Sequence, residues 1–286
     1  MPSLKEVKNR IASVNSTRKI TSAMKMVSSS KLHKSQQAIE NMRPYEERLN
    51  AIMSAYAGNI DENFPSPLLA QRDKKRVALV VITSNSSLCG GFNNNVVKAF
   101  QLIKEKYSQE KVEIVRVYAF GKKGYDSLTK LFQGDLRNES ELVEHPSYER
   151  VAAIAQELCE AFIEKEIDEV KLLFHHFHSN SKQVLTEERF LPVEVQIEDS
   201  EIKYYYLVEP SPKALLQTLM PKSLNIKLYA AVLDSIASEH AARVIAMQTA
   251  TDNADDLLQE LTLTYNKTRQ QAITTELLDL VGGSMQ

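Results

Sequence analysis

Few stretches of this chain hold residue types that could do chemistry. The segment Ser86-Ser-Leu-Cys-Gly-Gly-Phe-Asn93 follows a β-branched run and precedes a helical pattern. A phosphate could meet backbone N–H groups there. The segment lacks the GxGxxG spacing and the Lys-Ser/Thr pair of nucleotide loops, so its glycines read as a tight strand-to-helix turn. Gly121-Lys-Lys-Gly124 is a weaker echo of the same pattern. His175, His176 and His178 fall on a strand, where period two sets His176 and His178 on one face and His175 on the other. No third Cys, Asp or Glu ligand lies nearby in sequence, and the reading is a sheet-surface cluster rather than a metal site. Cys89 and Cys159 are 70 positions apart with no CxxC or zinc spacing, as expected of reduced, packed thiols. No GxSxG, HExxH or paired-carboxylate constellation occurs. The expectation is a chain with no active site, cofactor or metal.

Charge is more informative than chemistry. A net charge of −2 over 286 residues hides opposite ends. Lys5 to Lys34 holds eight Lys or Arg against the single acid Glu6, and six Asp or Glu lie between Asp252 and the C-terminus against Lys267 and Arg269. The basic stretch could meet nucleic acid, but it has no Phe, Tyr or Trp to stack on bases. A solvated helical face and a surface for an acidic protein partner are the other readings, and the residues alone do not choose.

The elements that carry these charges are long. Lys222 to Val281 contains no Gly or Pro, which reads as one continuous helix of ~90 Å at 1.5 Å per residue. Ala250, Ala254, Leu257, Leu261, Tyr265, Thr268 and Ala272 step by three and four, a coiled-coil stripe that needs a partner helix. Residues 3 to 43 supply one. Ser3 and Glu6 form a capping box, and Leu4, Val7, Ile11 and Val14 share a face that resumes at Ile20, Met24 and Val27. Pro44 is expected to bend this helix or mark a junction before the pattern runs on to Gly58. Between the helices, a Pro-containing linker (Asn59–Arg76) leads into strands at Val77–Thr83, Val112–Phe120, Val170–Phe177 and Gln183–Pro192. Helices at Asn95–Lys106, Gly121–Leu131 and Tyr148–Ile167 alternate with them, which predicts a mostly parallel sheet. The fold class is therefore α plus α/β. A long antiparallel coiled coil of N- and C-terminal helices (1–58 and 211–286) carries a small inserted Rossmann-like domain (77–210). No apolar run approaches a membrane span, and no signal or transit segment is evident.

Two blocks carry a resemblance. Ile20-Thr-Ser-Ala-Met-Lys-Met-Val-Ser-Ser-Ser-Lys-Leu32 closely resembles the N-terminal helix of the gamma subunit of F-type ATP synthases. Ser238 to Asn253 and Leu261 to Glu276 resemble its C-terminal helix, and the likeness spans the chain. It implies a non-catalytic rotor shaft inside a ring of three alpha and three beta subunits. The α/β domain would be a foot that binds the epsilon subunit and the membrane ring of c subunits. Proton flow would turn the shaft and drive the beta subunits through their nucleotide states. The place implied is the cytoplasmic face of a bacterial cell membrane, peripherally bound.

Position by position, Arg269, Gln270 and Thr274 match the sites that meet a catch loop of beta, and Arg243 lies in the block facing the lower collar of the ring. Met24 matches the site beside the acidic lever of beta, with Lys25 following it. Lys25, Lys31 and Lys34 would face acidic segments of beta, while Arg18 and Lys19 line the upper shaft. Tyr206 and Glu209 match foot positions that touch the rotor ring, where Val208 departs from a tyrosine seen in some relatives. The chain lacks the Cys-containing insertion of chloroplast relatives, so no thiol regulation is expected. Nucleic acid, a membrane span and cofactors are not among the implied partners. The competing readings are a coiled-coil scaffold protein and a nucleotide-binding enzyme built on Gly90-Gly91.

Overall fold

A computed structural model describes residues 3–57, 66–193, 208–209 and 211–284. Helix α1 (Leu4–Ala57) begins on the capping box: the Ser3 N–H donates to Glu6 Oε2 at 2.8 Å, and the Glu6 N–H donates to Ser3 Oγ at 3.2 Å. It runs 54 residues without a break at Pro44, whose ring faces solvent. A proline on an exposed face removes one helical hydrogen bond but need not end the helix when packing on the opposite side holds it. Leu49 and Met53, beyond Pro44, are buried in the core. Helix α6 (Pro212–Ser284) is 73 residues long and begins ahead of the Gly- and Pro-free stretch from Lys222, passing through Pro221. Ser211 caps it, its Oγ accepting from the Ala214 N–H at 3.3 Å.

Two compact units divide the chain, Met1–Ser29 with Arg243–Gln286 and Ser30–Ala242, and both long helices contribute to each.

The unit Ser30–Ala242 is built on a five-stranded sheet. Its strands are β1 (Arg76–Ile82), β2 (Glu113–Phe120), β3 (Asp135–Asn138), β4 (Glu169–Ser179) and β5 (Lys182–Leu191), in the order β3-β2-β1-β4-β5. β1, β2, β3 and β4 are parallel, and β5 returns antiparallel along β4. Residues Val77–Ile82 have no exposed surface, which explains the unbroken β-branched run. Val77, Leu79 and Val81 join a core with α2 (Phe92–Glu110) and α3 (Lys122–Leu131). Ala78, Val80 and Ile82 join the opposite core, formed with α5 (Tyr148–Ile163) and the parts of α1 and α6 in this unit.

Three features differ from expectation. The short edge strand β3 and the one-turn helix α4 (Glu141–Glu144) carry no sequence period long enough to announce them. Helix α5 stops at Ile163 rather than Ile167, because Lys165 takes φ 64 and turns the chain into β4. The part of the linker that is described is firmly held. Leu68 is buried, Arg72 donates to the Phe162 carbonyl at 2.7 Å while lying over the Phe162 ring, and the Arg76 guanidinium pairs with Asp168 at 3.2 Å. Burial alone would push the Asp168 carboxyl up, but hydrogen bonds from the Arg76 side chain and backbone hold it below its ordinary range.

Candidate functional site

The glycine loop after β1 is already satisfied from within. Asn93 Oδ1 accepts the Ser84 N–H at 2.9 Å, and Asn93 Nδ2 donates to Ser84 Oγ at 2.7 Å. The side chain of Asn93 thus ties the end of the loop back to the end of the strand. Leu88 and Gly90 adopt φ of 67 and 61, so the loop turns through left-handed residues. Gly121, at φ 103, lies so close to β1 that an added Cβ would sit 2.2 Å from the Thr83 carbonyl oxygen. Gly121 and Gly124 therefore allow α3 to pack against β1.

The three histidines do not act together. His175 is buried, stacked on Phe92 at 4.4 Å between ring centroids, and burial depresses its pKa to about 4. His176 is exposed and bonds through Nδ1 to Asp234. His178 is also exposed, so the alternation holds while only two of the three lie on the sheet surface. Among the described residues no three His, Cys, Asp or Glu side chains converge. Cys89 and Cys159 are both buried free thiols, and burial pushes Cys159 up to about 12.

The remaining candidates lie on the two long helices. In the unit Met1–Ser29 with Arg243–Gln286, α1 and α6 pair antiparallel. Val7 and Leu261 are buried, as is Ala254, and the α6 stripe fades from partly buried at Tyr265 and Thr268 to exposed at Ala272. On α1 the expected stripe lies on the seam through Leu4, Val7, Ile11 and Val14, but its resumption at Ile20 and Val27 is one residue out of phase. Ile20 and Val27 are 60% and 58% exposed, whereas Thr21 and Ser28 are 8% and 4% exposed. The seam continues from Val14 through Arg18, Thr21, Lys25 and Ser28, and three pairs cross it. Arg18 Nη1 donates to Asp255 Oδ1 at 2.9 Å, the Thr21 and Thr251 hydroxyls meet at 2.8 Å, and Lys25 Nζ donates to Gln248 Oε1. Sequence reasoning named Arg18 and Lys25 only as outward-facing cations and missed the seam through Thr21 and Ser28, because it followed hydrophobicity. The steps of three and four from Val14 were the signal that could have found them.

The residues singled out by resemblance fall in different settings. Met24 and Lys25 are half-buried, and Lys25 is engaged with Gln248 within the coil. Arg243 is buried, while Arg269, Gln270 and Thr274 are all exposed. Glu209 is exposed, and Tyr206 lies outside the described residues. Among the described residues, α6 beyond Thr268 carries Ile273, Leu277, Leu278, Leu280 and Val281 as exposed large apolar side chains. Such a run on the surface of a soluble helix marks a face that something else covers.

Residues 3–285 match the family described as ATP synthase. The chain is 51% identical over 292 residues to the ATP synthase gamma chain of Phocaeicola vulgatus, covering 100% of both chains. It is likewise 51% identical over 290 residues to that of Bacteroides fragilis, again covering 100% of both. The chain belongs to the ATP synthase gamma chain family. As a gamma chain it is a non-catalytic subunit of the central stalk of the F-type ATP synthase. Its fold is similar to that of a chain in a cryo-EM structure of the Euglena gracilis mitochondrial ATP synthase (OSCP/F1/c-ring, rotational state 3). That match has a TM-score of 0.65 at 20% identity and covers 99% of this chain and 93% of the other. Among the described residues no helix is long and apolar enough to cross a membrane.

Proposed function

We propose that the coil formed by α1 and α6 turns inside a ring of three alpha and three beta subunits, and that the α/β domain is the foot that joins epsilon and the c-ring. The observation that carries this reading is the bare end of α6. Ile273, Leu277, Leu278 and Leu280 are large apolar side chains that stand exposed on it. A surface of that kind is stable in an assembly that sheathes it. Arg269, Gln270 and Thr274 lie on this same exposed helix and are the proposed contacts to beta, with Met24, Lys25 and Arg243 further along the coil. Tyr206 and Glu209 are the proposed foot contacts to the rotor ring. The related Euglena assembly includes F1 and the c-ring by its description, which supports the same set of partners here. The proposed location is the cytoplasmic face of the bacterial cell membrane, held there through these partners.

Reconstitution tests the reading. Alpha and beta subunits assembled with this chain should hydrolyse ATP and, once joined to the membrane sector, pump protons. Complexes lacking it should do neither in a coupled way. A complex whose coupled pumping is the same with and without the chain would overturn the proposal.

A further inference from the structure

The polar stretch of the seam between α1 and α6 has the chemistry of a register mark. Arg18–Asp255, Thr21–Thr251 and Lys25–Gln248 form three successive rungs, and steps of three and four along α1 are answered by steps of four and three back along α6. Each rung differs in kind: ion pair, hydroxyl pair, and ammonium to amide. The hydroxyl pair is fully used. Thr21 can also donate to the Arg18 carbonyl at 3.0 Å and Thr251 to the Met247 carbonyl at 2.8 Å, so one hydroxyl donates across the seam while the other donates to its own helix. Gln248 extends the third rung, its Nε2 donating to Asp252 Oδ1 at 2.6 Å. Below the ladder the buried Ser28 hydroxyl bonds the Met24 carbonyl at 2.8 Å and presents only a small group to the seam.

We infer that this ladder fixes the register of the antiparallel pair in this unit, which the apolar positions Val7, Ile11 and Val14 alone leave open to a slide in one sense. Sliding α6 by one turn in that sense would still set Val7, Ile11 and Val14 against Leu261, Leu257 and Ala254, because these apolar positions repeat at helical spacing, whereas the other sense sets Val7 against Arg269. The rungs do not repeat. A four-residue slide in the latter sense brings Lys25 opposite Asp252 but sets Arg18 against Gln259 and Thr21 against Asp255. The opposite slide sets Lys25 against Val244, Thr21 against Met247 and Arg18 against Thr251. Neither slide keeps the hydroxyl pair, and each loses at least one charged partner. Polar groups at a seam give such specificity while adding little stability, and the half-exposed Arg18–Asp255 pair is worth little by itself. The inference does not rest on the stalk reading. It adds that a coil with this seam holds one axial alignment under load.

Spin labels read the alignment directly. Ser13→Cys and Thr249→Cys place labels on exposed positions well separated along the coil, while Cys89 and Cys159 are buried away from the reagent. In the otherwise unaltered full chain, pulsed dipolar spectroscopy should give one narrow distance distribution. With Thr21→Val, Thr251→Val, Lys25→Met and Gln248→Met together, helix content should persist and a second population should emerge, displaced by roughly 4–5 Å as expected for a one-turn slide. A single unshifted distribution in that folded variant would overturn the inference. Should the fourfold variant not fold, Lys25→Glu should broaden the distribution and Lys25→Glu with Gln248→Lys should narrow it again. An unbroadened distribution for Lys25→Glu alone would equally overturn it.

Discussion

His175 shows how a residue that looks chemical is made structural. Its imidazole is enclosed against Phe92, its carbonyl accepts from the Ser238 hydroxyl at 3.1 Å, and its Nδ1 has no hydrogen-bond partner among the described residues. Burial lowers its pKa from 6.5 to about 4. The sign follows from linkage: the unfolded chain takes up a proton below pH ~6.5 and the folded chain does not, so stability is present above that value and is lost as the pH falls toward 4. Between pH 7 and pH 5 the loss from this residue should be about 2 kcal/mol. Urea midpoints at the two pH values should differ less in His175→Phe than in the unaltered chain, and an equal difference would sink the assignment. Gly121 is the second residue whose role is set by close approach. Gly121→Ala forces a Cβ against the Thr83 carbonyl at a φ that other residues avoid. It should lower stability by about 2–3 kcal/mol, seen as a drop in the thermal midpoint.

At the scale of elements, patterns that repeat were legible and single events were not. The run Val77–Thr83 announced a doubly covered strand, and Ser3 with Glu6 announced the start of α1, because each is a local rule with one physical outcome. The edge strand β3 has four residues and no buried face to impose a period, so nothing local marks it. Ile20 and Val27 misled for another reason. Hydrophobicity was read as burial within the chain, whereas these side chains face outward and the seam passes through Thr21 and Ser28. An apolar residue on a stalk helix has two places to go, and the sequence of one subunit does not distinguish them. For the same reason Arg269, Gln270 and Thr274 stand on an exposed helical face. Replacing Arg269 and Gln270 together by Ala should leave the thermal midpoint of the free chain within the range of ±0.5 kcal/mol typical of surface changes. The same variant should lower coupled ATP hydrolysis in the reconstituted complex. A large loss of stability in the free chain would show that the pair serves this fold instead of a partner.

At the scale of the whole molecule, stability is unevenly placed. The sheet unit has a core on each face of β1, where six consecutive residues are fully covered, and such a unit opens only by global unfolding. The coil unit has a narrow seam with polar rungs, and α6 beyond Thr268 has its described side chains exposed. Helices without tertiary burial are marginal in water, whatever their length in a larger assembly. Hydrogen exchange of the free chain should therefore rank in three steps. Amides of Val77–Ile82 and Val117–Phe120 should exchange slowest, those of the seam faster, and those after Thr268 fastest. Addition of alpha and beta subunits should slow the last group most and leave the strands unchanged, since the new burial falls on the bare helix. If the end of α6 were as protected in the free chain as the strands of the sheet, it would already have a partner within the chain. The exposed apolar run would then be no evidence for a sleeve.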